Sequence, residues 1–282
     1  MSTLSAPPTR AIFRLRPGRL FVHLVLAALA LFSLFPIYWM LITSLRPANE
    51  IFSGGLLPGR LDLENYAYVW VRTPIVRMLA NTFAMALLVT VGQLLTSILA
   101  AYAFARWKFP GDRVLFLVFI GTWLIPFQVT MIPNYVTVAH LGWLNSLPGL
   151  VVPQLATAFA IVLLRQNMKG FPVAILDAAR IDGASSWRVL WRIVVPNLRA
   201  PLAALGILLF ISTWNEYFWP LLVTNKTQDT VIQVGLQMFL TQEGNQWGAL
   251  MAAASLASLP IFALYIALQR QVIEAFVRSG LK

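Results

Sequence analysis

Hydrophobic positions along this chain come in long unbroken runs, not in the alternation of strands or the narrow stripe of a soluble helix. Six stretches, at 20–44, 82–105, 114–132, 147–164, 201–224 and 250–269, are mostly apolar. Each has roughly the 20 residues that a helix needs to cross a bilayer. Several contain proline (Pro36, Pro126, Pro153, Pro220, Pro260), which a membrane bundle tolerates because neighbouring helices and water satisfy the freed carbonyls. None alternates with period two, as the strands of an outer-membrane barrel would. The pattern predicts an all-α, polytopic membrane protein of six transmembrane helices over residues 20–282, preceded by a tail at 1–19.

Composition agrees with a bilayer as solvent. Of 282 residues, 59% are apolar and 11% charged, where a soluble protein carries about 25% charged residues. The absence of cysteine excludes disulfides, thiolate metal sites and cysteine nucleophiles. Arg10, Arg14, Arg16 and Arg19 precede the first run as they would in a signal peptide, but that run is longer than the about 7–15 residues of a signal core. It reads as a retained span.

The net charge of +11 is a matter of topology. Sixteen Lys and Arg fall in the N-terminal tail, the second and fourth loops and the C-terminus, against five in the other loops. The positive-inside rule then predicts both termini in the cytoplasm, and no nucleic-acid partner is needed to explain the charge. The first external loop, 45–81, carries Tyr66, Tyr68 and Trp70. Aromatic rings gain from burial, so this loop is expected to be a partly folded platform.

The cytoplasmic stretch 165–200 is far longer than an ordinary connection. Residues 175–181 favour a short helix, and Gly183 is placed to end it in a left-handed turn. Beyond the glycine, Trp187, Leu190, Trp191, Val194 and Val195 recur every three or four residues, with Arg188 and Arg192 on another face. That spacing predicts a basic amphipathic helix lying along the membrane surface and ending at Pro196. Asp182 stands where it would cap that second helix.

The order of residues in this elbow is Asp177-Ala178-Ala179, then Asp182-Gly183-Ala184, then Ile193 and Pro196. It resembles the EAA loop of permease subunits of ATP-binding-cassette importers. Two departures stand out: Asp177 replaces the usual glutamate, and Pro201 follows Pro196 one residue later than the commonest spacing. Ser44-Leu45-Arg46-Pro47 with Asn65-Tyr66, the run from Trp214 to Leu222, and Gln246-Trp247-Gly248 are similar to MalG-like, carbohydrate-uptake permeases over roughly residues 20–282. The resemblance implies the type I ABC importer permease fold and docking of the elbow in a cytoplasmic ATPase. It also implies a second, related permease subunit in a heterodimer, two ATP-binding subunits and an extracytoplasmic solute-binding protein. The expected location is the cytoplasmic (inner) membrane of a bacterium or archaeon.

The chain lacks the glycine-rich phosphate loop G-x-x-x-x-G-K-[ST], so no cofactor is expected on it, and ATP and Mg belong to the partner ATPase. No nucleophile elbow appears, and His23 and His140 have no ligand-like neighbours in sequence, so neither catalysis nor a metal is expected. Glu216, beside Asn215, falls within an apolar run, where an ionisable group by default suggests a cavity or pathway; a place near the outer headgroups is the alternative. Gln93, Gln128 and Gln154, each in a different run, are candidates for the translocation pathway or for interhelical hydrogen bonds. Trp214 and Trp219 fit interface anchors better than sugar-stacking faces. No Lys or Arg lies deep in a run, which favours a neutral sugar over glycerol phosphate or another small solute as cargo.

Overall fold

In the computed structural model, which describes residues 17–52, 55–57, 59–241 and 244–280, the apolar runs are helical but only half of them are continuous. The tail expected over 1–19 lies outside the described residues up to residue 16, as does Lys282. Helix α1 (Pro17–Ser44) runs straight through Pro36 and leaves nearly all of its apolar surface uncovered, touching mainly the last helix. Helix α2 (Glu64–Arg72) forms within the loop expected to be external. There Val69 is fully buried, and Tyr66 and Tyr68 pack on the same cluster as Ile75, Met78, Ile232 and Phe239.

Helix α3 (Ile75–Arg106) begins well before residue 82, because its polar first turns hold the loop at 224–231. Arg77 donates to Gln228 and Asp229, both at 3.1 Å, and the Asn81 amide donates to the carbonyls of Gln228 and Thr230, both at 3.0 Å. The third run is split into α4 (Asp112–Trp123) and α5 (Phe127–His140), bent by 94°. Pro126 causes the break: its ring removes a donor and disfavours helical backbone at Ile125, and its own ψ is 138°. The fourth run divides into α6 (Leu147–Val151), continued by a tight turn to Gln154, and α7 (Ala158–Lys169), with a bend of 47°.

The elbow follows as α8 (Val173–Ile181), α9 (Ser186–Val189), a π-helical turn (Leu190–Val194) and α10 (Val195–Asn197). The wide turn has a covalent cause. Pro196 offers no N–H to the Arg192 carbonyl and its ring would crowd it, and the Val195 N–H reaches back to the Leu190 carbonyl instead. The chain then turns by 79° into α11 (Arg199–Trp214). Short helices α12 (Phe218–Val223) and α13 (Ile232–Gly235) and a two-residue hairpin, β1 (Leu240–Thr241) with β2 (Gly244–Asn245), lead to α14 (Trp247–Gly280). Among the described residues three helices are long and apolar enough to cross a membrane, or up to six if each bent pair is one span.

The second half of the elbow turns much of its apolar face towards the bundle. Val189, Leu190 and Val194 are buried in one cluster with Ile98 and Tyr102 of α3, Leu164 and Met168 of α7 and Leu205 and Leu209 of α11. Trp191 and Val195 are partly buried against the same cluster while Trp187 stays exposed, and helical geometry continues past Pro196 to Asn197.

Candidate functional site

Residues of α8 face two ways because each step turns the helix by about 100°. Leu176 and Ala179, three apart, are 3% and 8% exposed and belong to the cluster just described. Asp177, Ala178, Ile181 and Asp182 face outward. Ala179 thus anchors the helix inward and is not part of its free face, contrary to its grouping with Ala178 in sequence. The end of α8 is a Schellman turn. Gly183 takes φ +74°, its N–H bonds the Arg180 carbonyl at 3.0 Å, and the Ala184 N–H bonds the Ala179 carbonyl at 2.9 Å.

Asp182 therefore closes the first helix and does not cap the second. That cap is Ser185, whose hydroxyl accepts the Arg188 N–H at 3.4 Å. Asp177 lies 3.5 Å from Arg180, with both side chains more than half exposed; such a pair is weak and screened, so the carboxylate stays available to another partner. Ala184 and Ile193 are half-buried against the cluster, and Pro196 is exposed. Sequence reasoning missed Ile181, which is 87% exposed at the tip of the elbow, and the exposure of Trp187 beside it. An apolar side chain one residue before Asp182, off the Leu176–Ala179 face, was the available signal.

The bend of the third run and the break in the fifth converge on Trp219. Its ring meets Phe127 edge-on at 6.4 Å, and its indole N–H donates to the Gly149 carbonyl at 3.1 Å. Glu216 accepts the Trp219 N–H at 3.3 Å. It sits in the gap between α11 and α12, half-buried, and not inside a continuous apolar helix. Asn215 is exposed; its amide donates to the Ile211 carbonyl at 2.9 Å, and its oxygen accepts from Gln233 at 3.3 Å.

Gln93 and Gln154 are brought together: the Gln93 amide donates to the Gln154 carbonyl at 2.7 Å, and the Gln154 amide donates to the Leu150 carbonyl at 2.9 Å. These bonds brace the break between α6 and α7. Gln128 stays apart from that pair, exposed on the first turn of α5. Trp214 and Trp219, at 2% and 1% exposed, are packed inside and are not interface anchors, because Trp214 clusters with Ala86 of α3 and Phe210, and Trp219 with Met85 and Val89 of α3 and Val138 of α5.

Comparisons with known proteins fit this geometry. The family described as binding-protein-dependent transport system inner membrane component matches residues 93–277. The sn-glycerol-3-phosphate transport system permease protein UgpE of Yersinia pestis is 34% identical over 270 residues, covering 92% of this chain and 96% of the relative. UgpE of Salmonella typhi is 35% identical over the same shares. Among solved structures, a chain of a bacterial ABC transporter involved in the import of the acidic polysaccharide alginate superposes with TM-score 0.78 at 25% identity, over 92% of this chain and 98% of that one. A chain of the inward-facing MetNI methionine ABC transporter reaches TM-score 0.54 at 15% identity, over 75% of this chain and 98% of that one, a likeness of fold alone. An elbow hung on a bundle of apolar helices, in a chain with no phosphate loop of its own, is what an importer driven by a separate motor requires. The chain belongs to the binding-protein-dependent transport system inner membrane component family: it has the type I fold and is the non-catalytic permease subunit of an ABC importer, working in the inner membrane with a separate ATPase and a solute-binding protein.

Proposed function

We propose that the elbow of α8 and α9 is the surface on which the ATPase pulls. The observation that carries this reading is its division of faces: Leu176 and Ala179 are sunk in the core while Ile181, Asp177, Ala178, Asp182 and Gly183 stand free. Asp177 and Asp182 offer carboxylates to Arg, Lys or N–H groups of the partner, and Ile181 supplies the apolar knob. Ala184, Ile193 and Pro196 shape the far side of the elbow. Two ATPase subunits would bind ATP and Mg, and their closure would draw this elbow towards that of a second, related permease in a heterodimer. Alternating access then follows from the different affinities of the conformations for ATP and substrate.

The charge bias of the loops supports both termini in the cytoplasm of a bacterial or archaeal cell. Around Trp219, the exposed Asn215 and Gln128 and the half-buried Glu216 contribute polar groups to the translocation route. Gln93 and Gln154 serve by bracing the break beside it.

The proposed cargo is a sugar handed over by the solute-binding protein. Glycerol phosphate is the second reading, favoured by identity of about a third to UgpE over nearly the whole chain. Uptake of labelled sugars and of labelled glycerol 3-phosphate, by vesicles holding the whole importer and its binding protein, separates the two. For the elbow, the ATPase is co-purified with wild type and with Ile181→Asp. Equal recovery of the ATPase would overturn the docking assignment.

A further inference from the structure

We propose that Arg106 and Arg165 form a reciprocal clasp that joins the cytoplasmic ends of α3 and α7 into one body with the elbow, and so set how much of the elbow's motion reaches the spans. Arg106 is the last residue of α3, and its guanidinium donates to the Met168 carbonyl in the last turn of α7 at 2.8 Å. Arg165, on α7, donates through Nε to the Phe104 carbonyl in the last turn of α3 at 3.3 Å. Each arginine thus satisfies a carbonyl at the end of the other helix, where the final turn leaves acceptors without intrahelical partners and the dipole is negative.

A third element is held by the same group. The Arg165 guanidinium lies 3.7 Å from the centre of the Phe116 ring on α4, and Phe104 packs against Phe109, Phe116 and Phe119. Cation–π attraction and a charge-assisted hydrogen bond therefore meet on one side chain. Met168 has no exposed surface, and Phe171, three residues on, is buried in the cluster that anchors Leu176 and Ala179 of α8. Only Gly170 to Pro172 separate α7 from α8, so a displaced elbow moves the clasped ends with it. Both arginines also count as positive-inside charges, and that role alone would be met equally by lysine. The clasp would not: lysine lacks the planar fork that donates to a carbonyl while stacking on a ring.

That difference gives the test, which rests on the elbow reading and is run on the whole importer in proteoliposomes with its binding protein. Arg106→Lys/Arg165→Lys keeps the topology charges, so the complex is expected to assemble and to hydrolyse ATP. Solute imported per ATP should fall about tenfold, the scale of one lost charge-assisted bond. A wild-type ratio in that variant overturns the clasp. Should the double variant fail to assemble, Arg165→Lys alone, which leaves the Arg106–Met168 bond, is read by the same ratio, and a wild-type value again overturns it. Gly183→Trp in parallel separates the two ideas. If it uncouples and the lysine variants do not, the clasp fails while the elbow stands; if it too is silent, the elbow reading fails.

Discussion

Gly183 holds a positive φ, and a Cβ built there meets no heavy atom within 4 Å. For alanine the cost is therefore conformational alone, about 1 kcal/mol. Gly183→Ala is expected to keep most uptake. If the elbow docks in the ATPase as proposed, Gly183→Trp should reach the membrane at wild-type level yet lose import, because its ring crowds the docking face; uptake against membrane content measures this. Glu216 allows a similar separation of roles. Glutamine keeps an oxygen for the Trp219 N–H and removes only the charge, so reduced uptake by Glu216→Gln at normal abundance would mark the charge as functional. Unchanged uptake and substrate preference would leave the residue a helix cap.

At the level of elements, the lengths and order of the apolar runs were legible in sequence because burial in lipid is a matter of composition. Their continuity was not, because the same residue type breaks one helix and leaves another whole. Pro36 and Pro260 sit inside unbroken helices while Pro126 opens a right-angled break, so proline by itself does not mark the joints. The gap at Asn215–Tyr217 contains no proline at all and is held by Gln233 and the Trp219 contacts. The inward turn of Ala179 was hidden for the same reason: the sequence pattern names small residues, and only the packing of α8 says which of them face a neighbour. Gly149 gives an element-scale prediction. A Cβ there would collide with the Trp143 carbonyl and press on Val138 at 3.2 Å, both fixed parts of the joint that receives the Trp219 indole. Gly149→Ala should cost about 1–3 kcal/mol as overpacking, read as a lower unfolding temperature in detergent beside a Gly183→Ala control.

For the whole molecule, the lack of native cysteine makes orientation directly measurable. A lone cysteine at Asp182 should react with a membrane-impermeant maleimide only after the membrane is opened, and one at Lys226 should react in intact cells. The reverse pattern would put the elbow beyond the reach of any ATPase. The two positions also contrast in rigidity of attachment. The loop around Lys226 is tied to α3 by Arg77 and Asn81 and to Asn145 through the Asn225 and Lys226 amides, whereas the elbow is fixed through its apolar face.

The π-helical turn between the elbow and α11 has a practical outcome for anyone exchanging parts among relatives. Rewinding Leu190–Val194 as ordinary α-helix without removing a residue would swivel the graft by about 100° about its axis, and the exposed Ile181 would point in a different direction. A transplanted hinge must therefore bring its own wide turn, with Pro196, or it will be the right shape pointing in the wrong direction.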